Sequence, residues 1–309
     1  MNSNILVSVV IPNYCHSAYL DERIQSVLKQ TYQNFEIIIL DDCSPDNGAS
    51  KAVIEKYRDN PHVSQIVYNE ENSGSTFKQW QKGFELAKGE YIWIAESDDF
   101  CENCMLEELI GACESGDNVV MAYTTSTLVD ENGAIIGQPP KFPDQTLSSK
   151  NYLLKYLLLY NFVQNASSAI FRREVALRVD KQYTNFLGAG DYMFWVEVCL
   201  NGSVAIVNKG LNYFRRHSGV VTSKRESDGT NFREEMRILN YMQSYISIPR
   251  WRLKYAYIYR MNIITNIHFL NESLKSEIYD LWNVNDYNRP MYKYFLRAAM
   301  FLRRFNYFI

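Results

Sequence analysis

Residues 91–99 read Tyr-Ile-Trp-Ile-Ala-Glu-Ser-Asp-Asp, an apolar run that leads directly into three carboxylates. A short, continuous apolar run is typical of a strand that is buried on both faces. In open α/β sheets, ligands bind beyond the carboxyl ends of the strands. The acids Glu96, Asp98 and Asp99 therefore occupy a position where a ligand is expected, and their oxygen atoms suit Mg²⁺ or Mn²⁺. The alternative is a solvated loop, or an N-cap for the helix that begins near Met105.

The flanking sequence continues the same alternation of strand and helix. Apolar runs predict further strands at 6–11 (ended by Pro12), 35–40, 63–68 and 119–124. Apolar residues at helical spacing lie between these runs. Strand and helix in alternation predict an α/β fold, a Rossmann-like, mostly parallel sheet flanked by helices on both faces. Asp41 and Asp42 also follow a predicted strand, so both acidic pairs are expected at one edge of the sheet.

The alternation ends after about residue 125. Asn132-Gly133 predicts a hairpin turn. A helix is predicted at 192–199, followed by two short strands at 204–207 and 211–215. From about residue 230 the pattern is mostly helical. We therefore predict a domain over residues 1–225, with halves 1–125 and 126–225, and a helical C-terminal region over 226–309.

Composition and missing motifs exclude several classes of protein. The 309-residue chain has a formal net charge of −3, which argues against a general nucleic-acid binder. The dinucleotide motif G-x-G-x-x-G and the P-loop motif are absent. Cys101 and Cys104 form an isolated C-x-x-C, which we interpret as reduced thiols and not as a zinc site. The N-terminus is typical of a first strand and not of a signal peptide, and no apolar run approaches the roughly 18 residues of a membrane span.

Seven segments in a fixed order resemble the family 2 glycosyltransferases of the GT-A fold. They are the first strand with Pro12 and Tyr14, QTY at 30–32, DD-S at 41, 42 and 44, GEYIWIAESDD at 89–99, NASSAIFRRE at 165–174, GAGDYMFW at 188–195 and YFRRHSG at 213–219. Each segment alone is weak, but their order is specific. The resemblance covers about residues 5–225, and it implies a nucleotide-binding first half and an acceptor-binding second half.

The resemblance implies roles for five residues in nucleotide binding. Pro12 and Tyr14 would line the nucleotide pocket, with the Tyr14 ring near the base. Asp42 would hold the base or the ribose, and Lys78 and His217 would contact the diphosphate. From the residues alone, Asp42 is equally compatible with an Asx-turn, and His217 with a packed or surface histidine beside Arg215 and Arg216.

The resemblance also implies a metal site and a catalytic base. Asp98 would lie near the ribose or the metal, and Asp99 would be the main ligand of Mn²⁺ or Mg²⁺. The first acid of this region is often Asp in the family, whereas this chain has Glu96, so Glu96 is not expected to be a ligand. Asp191 matches the catalytic base, with Gly190 where many members have Glu. The alternative for Asp191 is a helix N-cap.

These roles predict an inverting, metal-dependent glycosyltransferase. It would move a sugar from a nucleotide sugar, expected to be a UDP-sugar, to a hydroxyl group of a glycan or lipid-linked acceptor in polysaccharide biosynthesis. One carboxylate would accept the proton of the hydroxyl, and a metal would stabilise the leaving diphosphate. The alternatives are a metal-dependent sugar nucleotidyltransferase and a non-catalytic nucleotide-sugar-binding protein. The loop after the first strand lacks the Gly- and Lys/Arg-rich sequence that a nucleotidyltransferase usually needs.

The C-terminal segment from Tyr292 is basic and aromatic. As a helix it would place Lys293, Arg297 and Arg304 on one stripe, a pattern that suits an anionic membrane surface. Docking of this helix on the core, or a contact with a second subunit, are the alternatives. The expected location is the cytoplasm, with peripheral contact to the inner face of the membrane.

Overall fold

The computed structural model describes residues 4–139, 143–216, 225–284 and 294. The chain forms two compact units. The first unit contains residues 1–148, 163–184 and 197–218, and the second contains residues 149–162, 185–196 and 219–309. The predicted division at residue 225 stays a prediction.

The first unit is built from strands and helices in alternation. Its strands are β1 Val7–Asn13, β2 Phe35–Asp41, β3 Val63–Tyr68, β4 Tyr91–Ile94, β5 Phe100–Cys101, β6 Val119–Val129, β7 Ile135–Gly137, β8 Gln145–Leu147, β9 Ala169–Arg172 and β10 Ser203–Arg215. Its first four helices are α1 Ser17–Leu28, α2 Ala49–Glu55, α3 Thr76–Leu86 and α4 Met105–Glu114. The short helix α6, Arg173–Ala176, follows β9 directly.

The strands of the described residues form one mixed sheet in the order β3-β2-β1-β4-β9-β6-β10-β5, with β7 beside β6 and β8 beside β10. The four strands from β3 to β4 are parallel, as are β6 and β10, whereas β9 runs antiparallel to both of its neighbours. The chain leaves β1 for β2 and β3 on one side and returns to β4 on the other. This reversal creates a switch point at the carboxyl ends of β1 and β4, the place where such sheets bind ligands.

Helices cover both faces of the sheet, as the continuous apolar strands predicted. Val9 lies in a buried cluster with Ile24 of α1 and Leu109 of α4. Its neighbour Val10 lies on the opposite face, where it contacts Gly83 of α3. Successive side chains of a strand alternate between faces, so β1 is covered by α1 and α4 on one side and by α3 on the other.

Pro12 does not end the first strand, contrary to the sequence prediction. The strand continues to Asn13, and Pro12 pairs in register with Leu40 of β2. Pairing with β4 extends only to Ile94, opposite Val10. The N–H group that proline lacks is therefore not required by this neighbour.

The second half of the first unit differs from the prediction at one strand. The predicted strands at 204–207 and 211–215 are a single strand, β10. It pairs with β6 in parallel, with register shifts around Gly210. The predicted hairpin is confirmed, since β7 pairs with β6 antiparallel and Gly133 adopts a φ of +85° in the turn. All six cysteines lie in the described part of the chain and are free, which agrees with the interpretation of Cys101 and Cys104 as thiols.

The second unit is helical. It contains α5 Ser149–Tyr152, a π-helical turn Leu153–Leu157, most of α7 Gly190–Cys199, and the helices α8 Thr230–Tyr245, α9 Arg250–Asn266 and α10 Glu272–Trp282. The predicted helical C-terminal region is thus confirmed as far as residue 282. Among the described residues, no helix combines the length and the apolar character needed to cross a membrane. The predicted amphipathic helix from Tyr292 lies, apart from Tyr294, outside the described residues.

Candidate functional site

The carboxyl ends of β1 and β4 bring the first candidate residues to one edge of the sheet. Tyr14 directly follows β1 and is 46% exposed, so its ring is available to a ligand. Asp98 lies beyond β4 and is half-buried. Val10 and Ile94 are register partners in a parallel pair, so Tyr14 and Asp98 follow neighbouring strands at the same edge of the sheet. The structure therefore places Tyr14 and Asp98 at the switch point of the sheet.

The neighbouring carboxylate, Asp99, is fully buried and is surrounded by donors. Its Oδ2 accepts hydrogen bonds from Asn165 Nδ2 (2.8 Å) and from Ser167 Oγ (2.7 Å). Its Oδ1 accepts a hydrogen bond from the backbone N–H of Arg215 at 2.9 Å. The guanidinium of Arg23, itself fully buried, lies 3.9 Å from Oδ2. Through these hydrogen bonds, the carboxylate of Asp99 connects the segment after β4 with β10 and with the turn before β9.

These contacts weigh against the prediction that Asp99 is the main metal ligand. A carboxylate with no solvent exposure and three hydrogen-bond donors has little capacity left for a cation, which would have to displace them. Asp98, by contrast, is partly open to solvent. Its backbone carbonyl accepts a hydrogen bond from Arg215 Nε at 2.8 Å, which fixes the main chain that carries it. The two aspartates therefore differ in burial and in protein contacts, and their predicted roles at a metal stay predictions.

Glu96, which was not expected to be a ligand, is bonded within the protein. Its Oε1 accepts a hydrogen bond from Trp80 Nε1 at 2.8 Å. Burial, followed by the charge of Asp98, raises the pKa of Glu96 to about 8. Burial and the neighbouring carboxylate both disfavour the ionised form of Glu96 in the metal-free protein.

Asp42 follows β2 and contacts the loop after β3. Its Oδ1 accepts hydrogen bonds from Asn69 Nδ2 (2.6 Å), the Ser73 N–H (2.9 Å) and Gln79 Nε2 (2.8 Å). Its Oδ2 accepts a hydrogen bond from Ser73 Oγ at 2.7 Å. This buried carboxylate orders the loop that leads into α3. A direct contact with base or ribose would compete with these donors, and that role stays a prediction.

Lys78 is an exposed residue in the first turn of α3. Its Nζ donates a hydrogen bond to the carbonyl oxygen of Ser73 at 3.0 Å, so the Asp42 loop and Lys78 are connected. Pro12 is buried within β1. His217 lies outside the described residues, one residue after the described Arg216. The predicted roles of Lys78, Pro12 and His217 at the nucleotide stay predictions.

Two arginines of this edge were given no role from sequence. Arg215, the last residue of β10, is 2% exposed and also donates to the carbonyl of Glu131 (2.9 Å) and to Glu22 Oε2 (2.5 Å). Arg23, from α1, donates its Nε to the carbonyl of Glu96 at 2.9 Å. Both arginines therefore hold the main chain of the 96–99 segment. An arginine on the apolar face of a predicted helix is a weak sequence signal, and it could have been noted for Arg23.

The candidate catalytic base, Asp191, lies in the first turn of α7, in the second unit. Its Oδ2 accepts a hydrogen bond from Asn161 Nδ2 at 2.6 Å, and its Oδ1 accepts one from the Tyr192 N–H at 2.8 Å. Burial, opposed by these two hydrogen bonds, raises the pKa of Asp191 to about 6. A carboxylate that titrates near neutral pH is well matched to accepting a proton from a hydroxyl group.

A further acid lies in the same unit. Glu235 of α8 pairs with Arg260 of α9 at 2.8 Å, with both side chains largely buried. Burial is the main reason that the pKa of Glu235 rises to about 7, and the charge of Asp191 contributes. The Tyr192 hydroxyl donates to the carbonyl oxygen of Leu157, which ties α7 to the π-helical turn. Asn161 and Glu235 were not singled out from sequence, because neither lies in a motif.

No cluster of three or more His, Cys, Asp or Glu side chains suited to a metal occurs in the part of the chain that the structure describes. A site with one or two protein carboxylates, completed by phosphate oxygens and water, is the usual arrangement for Mg²⁺. The half-buried position and oxygen-only chemistry of Asp98 fit this kind of site.

The model of the family described as "Glycosyl transferase family 2" matches residues 8–178. The chain is 36% identical over 221 residues to the putative teichuronic acid biosynthesis glycosyltransferase TuaG of Bacillus subtilis, covering 71% of this chain and 82% of TuaG. It is 27% identical over 286 residues to an uncharacterized glycosyltransferase of Haemophilus influenzae, covering 90% of this chain and 85% of that protein.

A solved structure shows the same fold. S. aureus TarS in complex with UDP-GlcNAc superimposes with a TM-score of 0.61 at 21% identity, covering 92% of this chain and 73% of that one. The α/β sheet flanked by helices is thus the GT-A fold that the sequence predicted. Since the family match spans more than half of the chain and contains the strands that carry Tyr14 and Asp98, the protein belongs to glycosyl transferase family 2.

Proposed function

We propose that the protein is an inverting glycosyltransferase that moves a sugar from a UDP-sugar to a hydroxyl group of a glycan or lipid-linked acceptor during cell-surface polysaccharide synthesis. The name of TuaG refers to teichuronic acid biosynthesis. The TarS structure contains UDP-GlcNAc. Family membership supports sugar transfer, and these two relatives support the choice of nucleotide and pathway class.

The observation that carries the proposal is the surroundings of Asp191. Two hydrogen bonds orient its carboxylate, and its pKa of about 6 leaves it ionised at neutral pH but still basic enough to take a proton. Asp191 would accept the proton of the acceptor hydroxyl as the oxygen attacks the anomeric carbon. Attack on the face opposite the leaving diphosphate inverts the anomeric centre, by the geometry that also governs inverting glycosidases.

The switch point of the sheet would hold the donor. The exposed ring of Tyr14 would stack on the base, and Lys78 and His217 would contact the diphosphate. Asp98 would hold Mn²⁺ or Mg²⁺ on a backbone fixed by Arg215. When bound, the divalent ion would neutralise the developing charge of the diphosphate leaving group. Asp99 and Arg23 would hold the surrounding chain in place without touching the donor.

Replacement of Asp191 by Asn tests the proposal. The purified protein would first be given a panel of nucleotide sugars with Mn²⁺, and binding and release of the nucleoside diphosphate would be measured. Asp191→Asn keeps the shape of the side chain but removes the base, so we expect a loss of transfer of about 10²–10⁴-fold with unchanged donor affinity. Asp280→Asn, an exposed position of α10, is the matched control and should retain wild-type transfer.

Two results would contradict the proposal. If wild-type protein binds none of the nucleoside diphosphates, the donor site is wrong. If donor binding is retained and wild-type protein and Asp191→Asn are equally inactive with every acceptor, the protein is a nucleotide-sugar-binding protein.

A further inference from the structure

We propose that Glu234, on the helix α8 that follows the family 2 match, is a positioning residue that fixes the backbone in front of Asp191. The inference rests on the proposed role of Asp191 as the base. Its structural part, the immobilisation of residues 187–189 by one carboxylate, can be measured independently of any activity.

The Glu234 carboxylate accepts three consecutive backbone N–H groups. Its Oε1 lies 2.7 Å from the Leu187 nitrogen, and its Oε2 lies 3.0 Å from the Gly188 nitrogen and 2.8 Å from the Ala189 nitrogen. The side chain of Glu234 is only 6% exposed. Hydrogen bonds to an ionised acceptor are roughly twice as strong as those between neutral groups, and burial strengthens them further. A single side chain therefore holds the three residues that precede α7.

The held segment ends where the helix of Asp191 begins. The carbonyl oxygen of Ala189 accepts the hydrogen bond of the Met193 N–H at 3.1 Å, which makes Ala189 the N-cap of α7. The carboxylate of Glu234 also lies at the positive end of this helix, where a negative charge is favourable. Asp191 is two residues after the cap, and its Oδ1 is bonded to the adjacent Tyr192 N–H. The position of the cap therefore sets the backbone from which Asp191 projects, and Asn161 and the Tyr192 N–H then orient its carboxylate.

The local sequence cannot fix this segment by itself. Gly188 and Gly190 flank Ala189, and glycine loses more conformational freedom on folding than any other residue. A Cβ atom at Gly188 would collide with Oδ1 of Asn231, so the segment packs directly against the first turn of α8. A segment with two glycines has few local restraints of its own, and Glu234 anchors it from the next turn of α8.

The geometry matters because general base catalysis depends on accurate placement. A displacement of about 1 Å can lower a rate by about 100-fold even when it arises away from the reacting atoms. Loss of the Glu234 charge would release the cap while leaving the first unit, with its predicted donor site, unchanged. The expected defect is therefore in turnover and not in donor affinity, whereas a purely structural role would lower the folded fraction alone.

The experiment compares Glu234→Gln with Glu277→Gln. Glu277, on α10 of the same unit, is 62% exposed and pairs with Arg233, so its loss should change little. Hydrogen exchange of peptides spanning 186–192 would be measured by mass spectrometry in the full-length proteins, together with kcat, donor affinity and the folded fraction. In Glu234→Gln we expect exchange of the 187–189 amides to be faster by about tenfold or more, because a neutral amide cannot accept all three bonds.

For Glu234→Gln, kcat per folded molecule should fall by about 10- to 100-fold with unchanged donor affinity. Glu234→Asp, which keeps the charge on a shorter side chain, should recover part of both the protection and kcat, and it serves if Glu234→Gln does not fold. Unchanged exchange of the 187–189 amides would overturn the inference, as would a kcat that falls only with the folded fraction. If wild-type protein transfers no sugar, the proposed function fails, but faster exchange would still establish the anchor.

Discussion

Replacement of Asp99 by Ala should damage the fold, although the neighbouring Asp98→Ala should not. Asp99 is fully buried, and its carboxylate provides the counter-charge for the buried guanidinium of Arg23. Nη1 and Nη2 of Arg23 have no hydrogen-bond partner among the described residues, so the charge of Asp99 is the main compensation that they have. Its removal leaves an uncompensated buried cation.

The magnitude follows from the partners that lose their acceptor. Breaking a buried ion pair by removing one partner costs about 3–5 kcal/mol. Asn165 Nδ2, Ser167 Oγ and the Arg215 N–H also lose their acceptor, and each unsatisfied buried donor costs about 1–3 kcal/mol unless water enters. We therefore expect the free energy of unfolding to fall by at least about 3–5 kcal/mol. That is a large part of the total stability of about 5–15 kcal/mol that is usual for a protein.

Urea unfolding, followed by tryptophan fluorescence, measures this loss. With a slope of about 3 kcal/mol/M, the midpoint for Asp99→Ala should fall by about 1 M or more. Asp98→Ala removes a half-buried carboxylate, so its free energy of unfolding should stay within about 1 kcal/mol of the wild-type value while Mn²⁺-dependent donor binding is lost. An Asp99→Ala variant as stable as wild type, but unable to bind donor with Mn²⁺, would refute the reasoning and restore Asp99 as the ligand.

Two further predictions concern helix packing and pH. Gly83→Ala should destabilise the protein by about 1–3 kcal/mol, because the new Cβ would overlap Val10. Gly111→Ala, in α4 with no atom within 4 Å of the new Cβ, should instead stabilise it by about 0.5–1 kcal/mol in the same urea assay. The transfer rate should fall about tenfold per pH unit below pH 6, since protonation of Asp191 (pKa about 6) removes the base. A kcat that stays flat from about pH 7 to about pH 5 would contradict this assignment.

The raised pKa of Asp191 also predicts how the free energy of unfolding changes with pH. Burial raises the pKa of Asp191 from 3.8 to about 6, so the folded chain binds this proton more tightly than the unfolded chain does. Taken alone, this group lowers the free energy of unfolding as the pH rises from about 4 to about 6, with no further change above that range. Glu234 and Glu235 are the other acids that influence Asp191, and Arg260 partly compensates Glu235.

The sequence predicted the parallel half of the sheet because the signal there is local. A strand that is covered on both faces must be apolar throughout, and β4, which lies in the predicted apolar run, is buried at all of its residues, Tyr91–Ile94. The turn at Asn132-Gly133 was equally predictable, since the conformation of Gly133 requires a positive φ. In both cases the pattern and the structure depend on residues that are adjacent in the chain.

The errors came from pairing between distant segments. The polar residues Asn208 and Lys209 interrupt the apolar pattern of β10, yet the strand continues because β6 still pairs with it across a bulge. The anchoring of Asp191 was equally hidden. Glu234 accepts the Ala189 N–H from 45 residues further along the chain, and nothing near Asp191 in the sequence marks it.

The two aspartates that follow β4 are neighbours in one motif, but their surroundings in the structure differ. Asp99 is enclosed by Asn165, Ser167 and the end of β10, and its charge is compensated there by protein donors. A cation at this position would have to replace those donors and would gain little from the exchange. Asp98 is half-buried, and Arg215 holds its backbone from the same strand end that Asp99 anchors. The proposed division, with ligand binding at Asp98 and support of the fold at Asp99, thus rests on a difference in burial that the sequence does not show.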